Sequence, residues 1–476
     1  MTVELTGTSL SIDEVVRVAR GGEQVALSRG AVEKMREHRA IVDRAVRSGQ
    51  SVYGVTTGVG MRREAPVADT DAAAFNRSAI AGHLVGLGPL AEPDVVRAAL
   101  LHAANGLAGA YQGARPELAQ RFVDALNQGH SPPVHSLGTV GQADLAQTAD
   151  LLHGVVGDLE LEAGETIAVL ATNVYSTGQA ALAVADAALF IRWCDAASAL
   201  DYEAFRANVG ALHPEVAVAR PFAGIGETIE RMHELLDGSA LWEPDAARFL
   251  QDPLTFRCVP QVHGAARDAL RFVEGQLAIE LNAHQGNPLV VSSEGRLVSV
   301  GNFDSQPLAT ALDLARIALA PVLTAAVERA LKLLSPRFSG LTEGLVGEEG
   351  SWQDGLSELG VAAQAIAAEA RLLAHPVSFE LVSTMQESGV EDRAALSSLG
   401  ARRLAEMLDL GARAVAIELA VAAQALDLRG DLTIGAGAHA TRSLVRQHVP
   451  YLDSPDRMPL PLEELAMHVR THAPPA

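Results

Sequence analysis

LGARRLAEMLDLGARAVAIELAVAAQAL, residues 399–426, is the stretch that decides the fold. Its Leu404, Leu408, Ala412, Val415, Leu419, Ala422 and Leu426 recur at spacings of three and four, the period that gathers side chains on one face of an α-helix. The run exceeds the usual length of a globular helix before Gly430 stops it. A helix so long and so apolar needs other helices to cover it.

The same pattern extends outward. Residues 355–374 form a second Ala/Leu run, ended by His375-Pro376, and a third opens after Gly178-Gln179 with Ala180, Ala181 and Ala183. Residues 95–108 make a shorter helix, started by Pro93-Asp94. The most apolar long stretch, residues 308–334, holds Asp313, Arg316, Pro321, Glu328, Arg329 and Lys332. A membrane span would not carry those charges, so a buried helix pair or a kinked helix is expected. Gly435-Ala436-Gly437-Ala438-His439-Ala440 imitates a dinucleotide fingerprint, but no strand precedes it, and a loop is expected. The fold class is therefore mainly α: a bundle of long helices over residues 134–476, with a smaller mixed region over residues 1–133. Neighbouring subunits are expected to complete the bundle.

Composition narrows the function. Of 476 residues, 48% are hydrophobic and 4% aromatic, with Lys+Arg at 37 against Asp+Glu at 58 and a formal charge of -21. So acidic a chain has no general attraction for nucleic acid or for anionic membranes, and neither is expected as a partner. Cys194 and Cys258 make neither a metal-ligand spacing nor a disulfide framework. The start, Met1-Thr2-Val3-Glu4-Leu5, is not that of a signal peptide, so a cytoplasmic location is expected, with no metal.

Four segments carry polar groups amid apolar sequence. Tyr53-Gly54-Val55-Thr56-Thr57-Gly58-Val59-Gly60 is a glycine-punctuated loop with one tyrosine. Residues 251–264 read Gln-Asp-Pro-Leu-Thr-Phe-Arg-Cys-Val-Pro-Gln-Val-His-Gly. Gly301-Asn302-Phe303 follows an expected short strand, and Glu391-Asp392 precedes the decisive helix. In this order the segments resemble the aromatic amino acid ammonia-lyases, which act on histidine, phenylalanine or tyrosine. Gly113-Ala114-Arg115-Pro116, Glu280-Leu281-Asn282 and Asn287-Pro288-Leu289-Val290 support the resemblance, which runs from about Leu5 to Asp453.

The resemblance implies a mainly helical homotetramer with active sites shared between subunits. It assigns Tyr53 as the acid/base at the substrate β-carbon and Arg257 as the clamp on its carboxylate. His83 and Phe303 would line the pocket, Glu391 would lie near the amine or the side-chain end, and Gln251 and Asn173 would contact the substrate. Singly, each residue also has a structural use: a tyrosine satisfying a backbone group, an arginine paired with Glu391, a histidine serving the core.

One departure matters most. The family makes 4-methylideneimidazole-5-one by cyclising and dehydrating an Ala-Ser-Gly. Here the segment is Gly138-Thr139-Val140-Gly141-Gln142-Ala143-Asp144-Leu145, one residue shorter, with Ala143 in place of the serine. Alanine has no hydroxyl to expel, so Gln142-Ala143 marks a lost cofactor-forming position, and no cofactor is expected. Leu254 also replaces a tyrosine of the family pattern. The expected function is accordingly a cofactor-independent lyase or cyclase rather than an ordinary ammonia-lyase. It would run an elimination, conjugate addition or isomerisation on a small self-activated anionic or carrier-bound acyl substrate. The alternative is a non-catalytic homologue that binds a small molecule or a partner enzyme.

Overall fold

The computed structural model describes residues 2–347, 353–379 and 389–475. The chain is mainly helical. Its contacts divide it into two compact units, each assembled from three separated stretches of sequence. The first comprises Met1–Ala185, Val273–Asp313 and Pro376–Arg402; the second comprises Asp186–Phe272, Leu314–His375 and Arg403–Ala476.

The first unit combines short helices with three two-stranded sheets. Thr2–Leu5 pairs in parallel with Gln24–Leu27, while Leu87–Leu90 and Leu289–Val291 pair antiparallel with His135–Leu137 and Arg296–Val298. Local chemistry sets the helix starts. Ser11 and Glu14 form a reciprocal capping box on Ile12–Ala19, and Pro93 and Pro116 open their helices where a missing N–H costs nothing. An apolar cluster joins Ile41, Val42 and Ala45 of the Arg29–Arg47 helix to Val290 and Leu297 of the last sheet. Val52 and Val55 belong to the same cluster, so the residues flanking Tyr53 are anchored in the core.

The second unit is helical among its described residues. In the Ser397–Leu428 helix, Ala412 and the run from Ala414 to Leu426 are buried on every side. Phe205 stacks on Phe256 with ring centroids 4.2 Å apart, beside buried Tyr202. At its centre Arg329, fully buried, donates Nε to Asp201 at 2.8 Å and Nη2 to Glu418 at 2.7 Å. Burial, then the Glu418 charge, push the Asp201 carboxyl well above the usual range.

One sequence expectation is narrowed and another corrected. Of the helix pair or kinked helix expected over 308–334, the pair is excluded: the stretch is one helix, Gln306–Leu334, with Pro321 inside it. The glycine-rich 435–440 stretch is not a loop: Gly435 sits at the cap position and Ala436–His448 is helical. Its buried Ala438, Thr441 and Val445 recur at spacings of three and four, and that burial outweighs the weak helix propensity of Gly437.

Candidate active site

Tyr53 is half-buried in a loop that its own side chains tie down. Thr56 Oγ1 accepts from the Val52 N–H at 2.8 Å and donates to the Gln50 carbonyl at 2.5 Å. Gly54 has φ +67°, and a Cβ there would stand 3.0 Å from the Ile167 side chain, so the turn requires glycine. The Tyr53 hydroxyl accepts the Gly60 N–H at 3.1 Å, which fixes its direction across the loop.

Opposite lies the 138–144 turn. Gly141 and Ala143 have φ of +78° and +61°. Thr139 Oγ1 donates to the Ala143 carbonyl at 3.2 Å and to Asp144 Oδ1 at 3.1 Å, and it accepts the Gly141 N–H at 3.1 Å. Ser305 Oγ donates to the Gly141 carbonyl at 2.9 Å, and the Val140 carbonyl accepts the Leu396 N–H at 2.9 Å. Through these bonds the turn holds the approach to the Ser397–Leu428 helix.

Buried Asp144 anchors the turn, accepting from the Ser176 N–H at 2.8 Å and the Ser176 hydroxyl at 2.9 Å. Burial holds its carboxyl up, to about 6, although those bonds and Thr139 favour the ionised form. A carboxyl held above its unfolded pKa of about 4 stabilises the fold while protonated, and that contribution fades as pH rises toward the folded value. The Tm of wild type minus that of Asp144→Asn should therefore fall between about pH 4 and 7. A difference that grows over that window contradicts the assignment.

One cavity of about 800 Å³ in the first unit gathers most of the candidate residues. Tyr53, His83, Gln142, Ala143, Phe303 and Glu391 all line it. His83, the last residue of the Ala72–His83 helix, shares a 2.7 Å hydrogen bond between Nδ1 and the Ala79 carbonyl. A carbonyl can only accept, so Nδ1 carries the proton, and Nε2 of the neutral ring is an acceptor. Asn173 is not on the lining. Its Nδ2 donates to the Phe303 carbonyl and its N–H to Gln285 Oε1 at 2.8 Å, so it holds the backbone of a lining residue. Gln251 and Arg257 belong to the second unit and are not on the lining either; Arg257 Nε donates to the Asp252 carbonyl at 2.8 Å.

Asn287, Arg393 and Arg62 are among the lining residues that sequence reasoning missed. Asn287 accepts the Val300 N–H at 3.0 Å, and Arg393 pairs with Asp304 at 2.9 Å. Arg62, on the short helical turn Gly60–Arg62, makes no ion pair among the described residues. A cation two residues past the Tyr53–Gly60 loop forms no motif; only its nearness to Tyr53 in sequence hinted at it.

The residues at 142–144 do not fit the family's electrophile. Ala143 offers a methyl group where a hydroxyl must leave, and the nitrogen that follows it, that of Asp144, already donates to the Thr172 carbonyl at 2.8 Å. Gln142 Nε2 is buried and finds no hydrogen-bond partner among the described residues.

Comparison with known proteins agrees with this architecture. A family model for aromatic amino acid lyases matches residues 10–162 and 156–447. A histidine ammonia-lyase of Alkaliphilus oremlandii is 31% identical, over 94% of this chain and 93% of its own. Among solved structures, the ergothioneine degrading enzyme ergothionase of Treponema denticola, in complex with desmethyl-ergothioneine sulfonic acid, superposes with a TM-score of 0.92. It is 26% identical, with 99% of both chains covered. The histidine ammonia-lyase of Trypanosoma cruzi gives 0.89 at 27% identity, covering 99% of this chain and 94% of that one. These likenesses overturn the expectation of a cofactor-independent lyase or cyclase acting on self-activated anionic or acyl substrates: they point to an ammonia-lyase type of function. The expectation rests on a few local departures, chiefly at 142–143 and at Leu254, whereas the likeness extends through nearly the whole chain. The mainly helical ammonia-lyase fold is confirmed, and the chain belongs to the aromatic amino acid lyase family.

Proposed function

We propose that this chain is an amine lyase of the ammonia-lyase type, removing the α-amine and a β-proton from an imidazole-bearing α-amino acid. The observation that carries this reading is the convergence of Tyr53, His83, Phe303 and Glu391 on one cavity. Relatives named histidine ammonia-lyase supply the substrate class. The Tyr53 hydroxyl takes or returns the β-proton, and Phe303 packs against the ring. His83 presents Nε2 to an N–H of the substrate, Arg62 offers its charge to the carboxylate, and Glu391 faces the amine or the imidazole.

Within that class a specific residue favours a second substrate. Ergothioneine, the betaine of a histidine derivative, bears a quaternary ammonium that departs as a neutral tertiary amine. Expelling it asks less of a site with Ala143 at the serine position than expelling a primary amine does. Amine release from histidine, ergothioneine, phenylalanine and tyrosine should be measured side by side. Higher kcat/KM for an imidazole-bearing substrate is expected, because a site built around ring N–H groups rejects rings that lack them. Preference for phenylalanine or tyrosine would overturn the imidazole assignment.

The reading includes a cytoplasmic homotetramer with no nucleic-acid or membrane partner, in which Gln251 and Arg257 serve neighbouring subunits. Its physical support is the apolar surface beside the cavity. Val85, Leu87, Leu90 and Leu137 are exposed around one two-stranded sheet, and Met61, Val140 and Leu145 are exposed on the cavity lining. Light scattering should give four times the 49.8 kDa chain mass. A stable particle of the single-chain mass would remove the shared site.

A further inference from the structure

Among the described residues, three arginines of the second unit are answered by no carboxylate. Arg248 Nη1 and Arg429 Nη2 donate to the same oxygen, the Ser339 carbonyl, at 2.6 and 2.7 Å. Arg429 Nε donates to the Ala204 carbonyl. Arg206 Nε and Nη2 donate to the Ala246 carbonyl at 3.1 and 2.8 Å, and the Arg206 carbonyl accepts the Arg248 N–H at 3.0 Å. The three side chains are thus neighbours. Among the described residues none of them pairs with an acidic group.

Helix ends do not balance this charge. Ala204 stands at the C-terminal end of Val174–Phe205, and Ser339 ends the four-residue helix Pro336–Ser339. A long helix end supplies roughly half a negative charge, and a single turn less. Three guanidiniums therefore face about one opposing charge at most, within a chain whose formal charge is -21. Two further observations point the same way. Arg248 Nε is buried and has no acceptor among the described residues. Burial, then the neighbouring Arg248 and Arg206, depress the Arg429 guanidinium to about 10.

We propose that Arg206, Arg248 and Arg429 form an anion site, separate from the candidate active site, for a dianionic oxyanion of the phosphate or sulfate class. Guanidinium forks suit its several acceptor oxygens, and an oxyanion supplies the charge that two cations sharing one carbonyl lack. The site is built on the segment that carries Gln251. Asn208, two residues after Arg206, donates its N–H to Asp252 Oδ2 at 2.6 Å and its Nδ2 to the Leu250 carbonyl at 3.2 Å. A bound oxyanion would fasten this segment from one side while Asn208 fastens it from the other.

Isothermal titration of the full chain with inorganic phosphate, sulfate and glycerol phosphate tests the proposal, with chloride at matched ionic strength as reference. Saturable binding of one anion per chain is expected, with a Kd of about 1 mM or tighter. Stronger binding of the ester than of phosphate would mark a phosphorylated metabolite as the source; equal binding would mark the free ion. Arg206→Gln, an exposed change, and Arg248→Gln should each weaken binding at least about tenfold. Arg29→Gln, on an exposed arginine of the first unit, should leave it unchanged. Heats no larger than those with chloride would overturn the proposal, as would an unaltered Kd in Arg206→Gln. A shift in oligomeric state of Arg206→Gln without added anion would also overturn it, placing a carboxylate of a second copy on the arginines.

Discussion

Tyr53→Phe should lower kcat for amine release by roughly two to four orders of magnitude, the usual worth of a positioned acid/base group, and should change KM little. The ring, anchored between buried Val52 and Val55, stays on the cavity lining. What disappears is the hydroxyl and its bond from the Gly60 N–H. Gly60 is half-buried, so the lost acceptor should cost about 1 kcal/mol of stability. Turnover and melting temperature measured on the same preparation separate the two roles. An unchanged kcat would reduce Tyr53 to a structural tie of its loop.

The largest effect on stability is expected far from that loop. Arg329→Met should destabilise the chain by about 3 to 5 kcal/mol, read from urea unfolding. Arg329 is fully buried, and removing its charge leaves Asp201 and Glu418 facing each other without a counter-charge; the Thr255 carbonyl loses its donor as well. Replacing all three charged residues by apolar ones of similar volume should recover most of the loss, because the desolvation cost disappears together with the attraction. A single Arg329→Met that unfolds at the wild-type midpoint would contradict this account of the buried cluster.

How legible this protein was depends on the kind of signal. The Ser397–Leu428 helix announces itself because the face it buries repeats apolar residues at spacings of three and four without interruption. The Ala436–His448 helix does not, because glycines at its start imitate a loop and only tertiary burial decides the matter. Pro321 left two readings open, a helix pair or one helix through it, and the surrounding apolar pattern carries one helix through. At the cavity, Tyr53, His83, Phe303 and Glu391 could be named from four ordered segments, although they come from distant parts of the chain. Arg62 and Arg393 could not, because arginines on irregular backbone have no period and no spacing. Asn173 illustrates a finer limit: sequence order places it near the site, yet its side chain supports the Phe303 backbone from behind the lining. The reaction class was misread for a different reason. The change at 142–143 is local, while the likeness to the aromatic amino acid lyases extends through nearly the whole chain.

The most direct test of the central claim is to quantify the released amine and the unsaturated acid in the same reaction, with histidine and with ergothioneine as substrates. The account predicts equal amounts of the two products from at least one substrate, and loss of both together in Tyr53→Phe. Folded enzyme of the expected assembly that yields neither product from either substrate would contradict it.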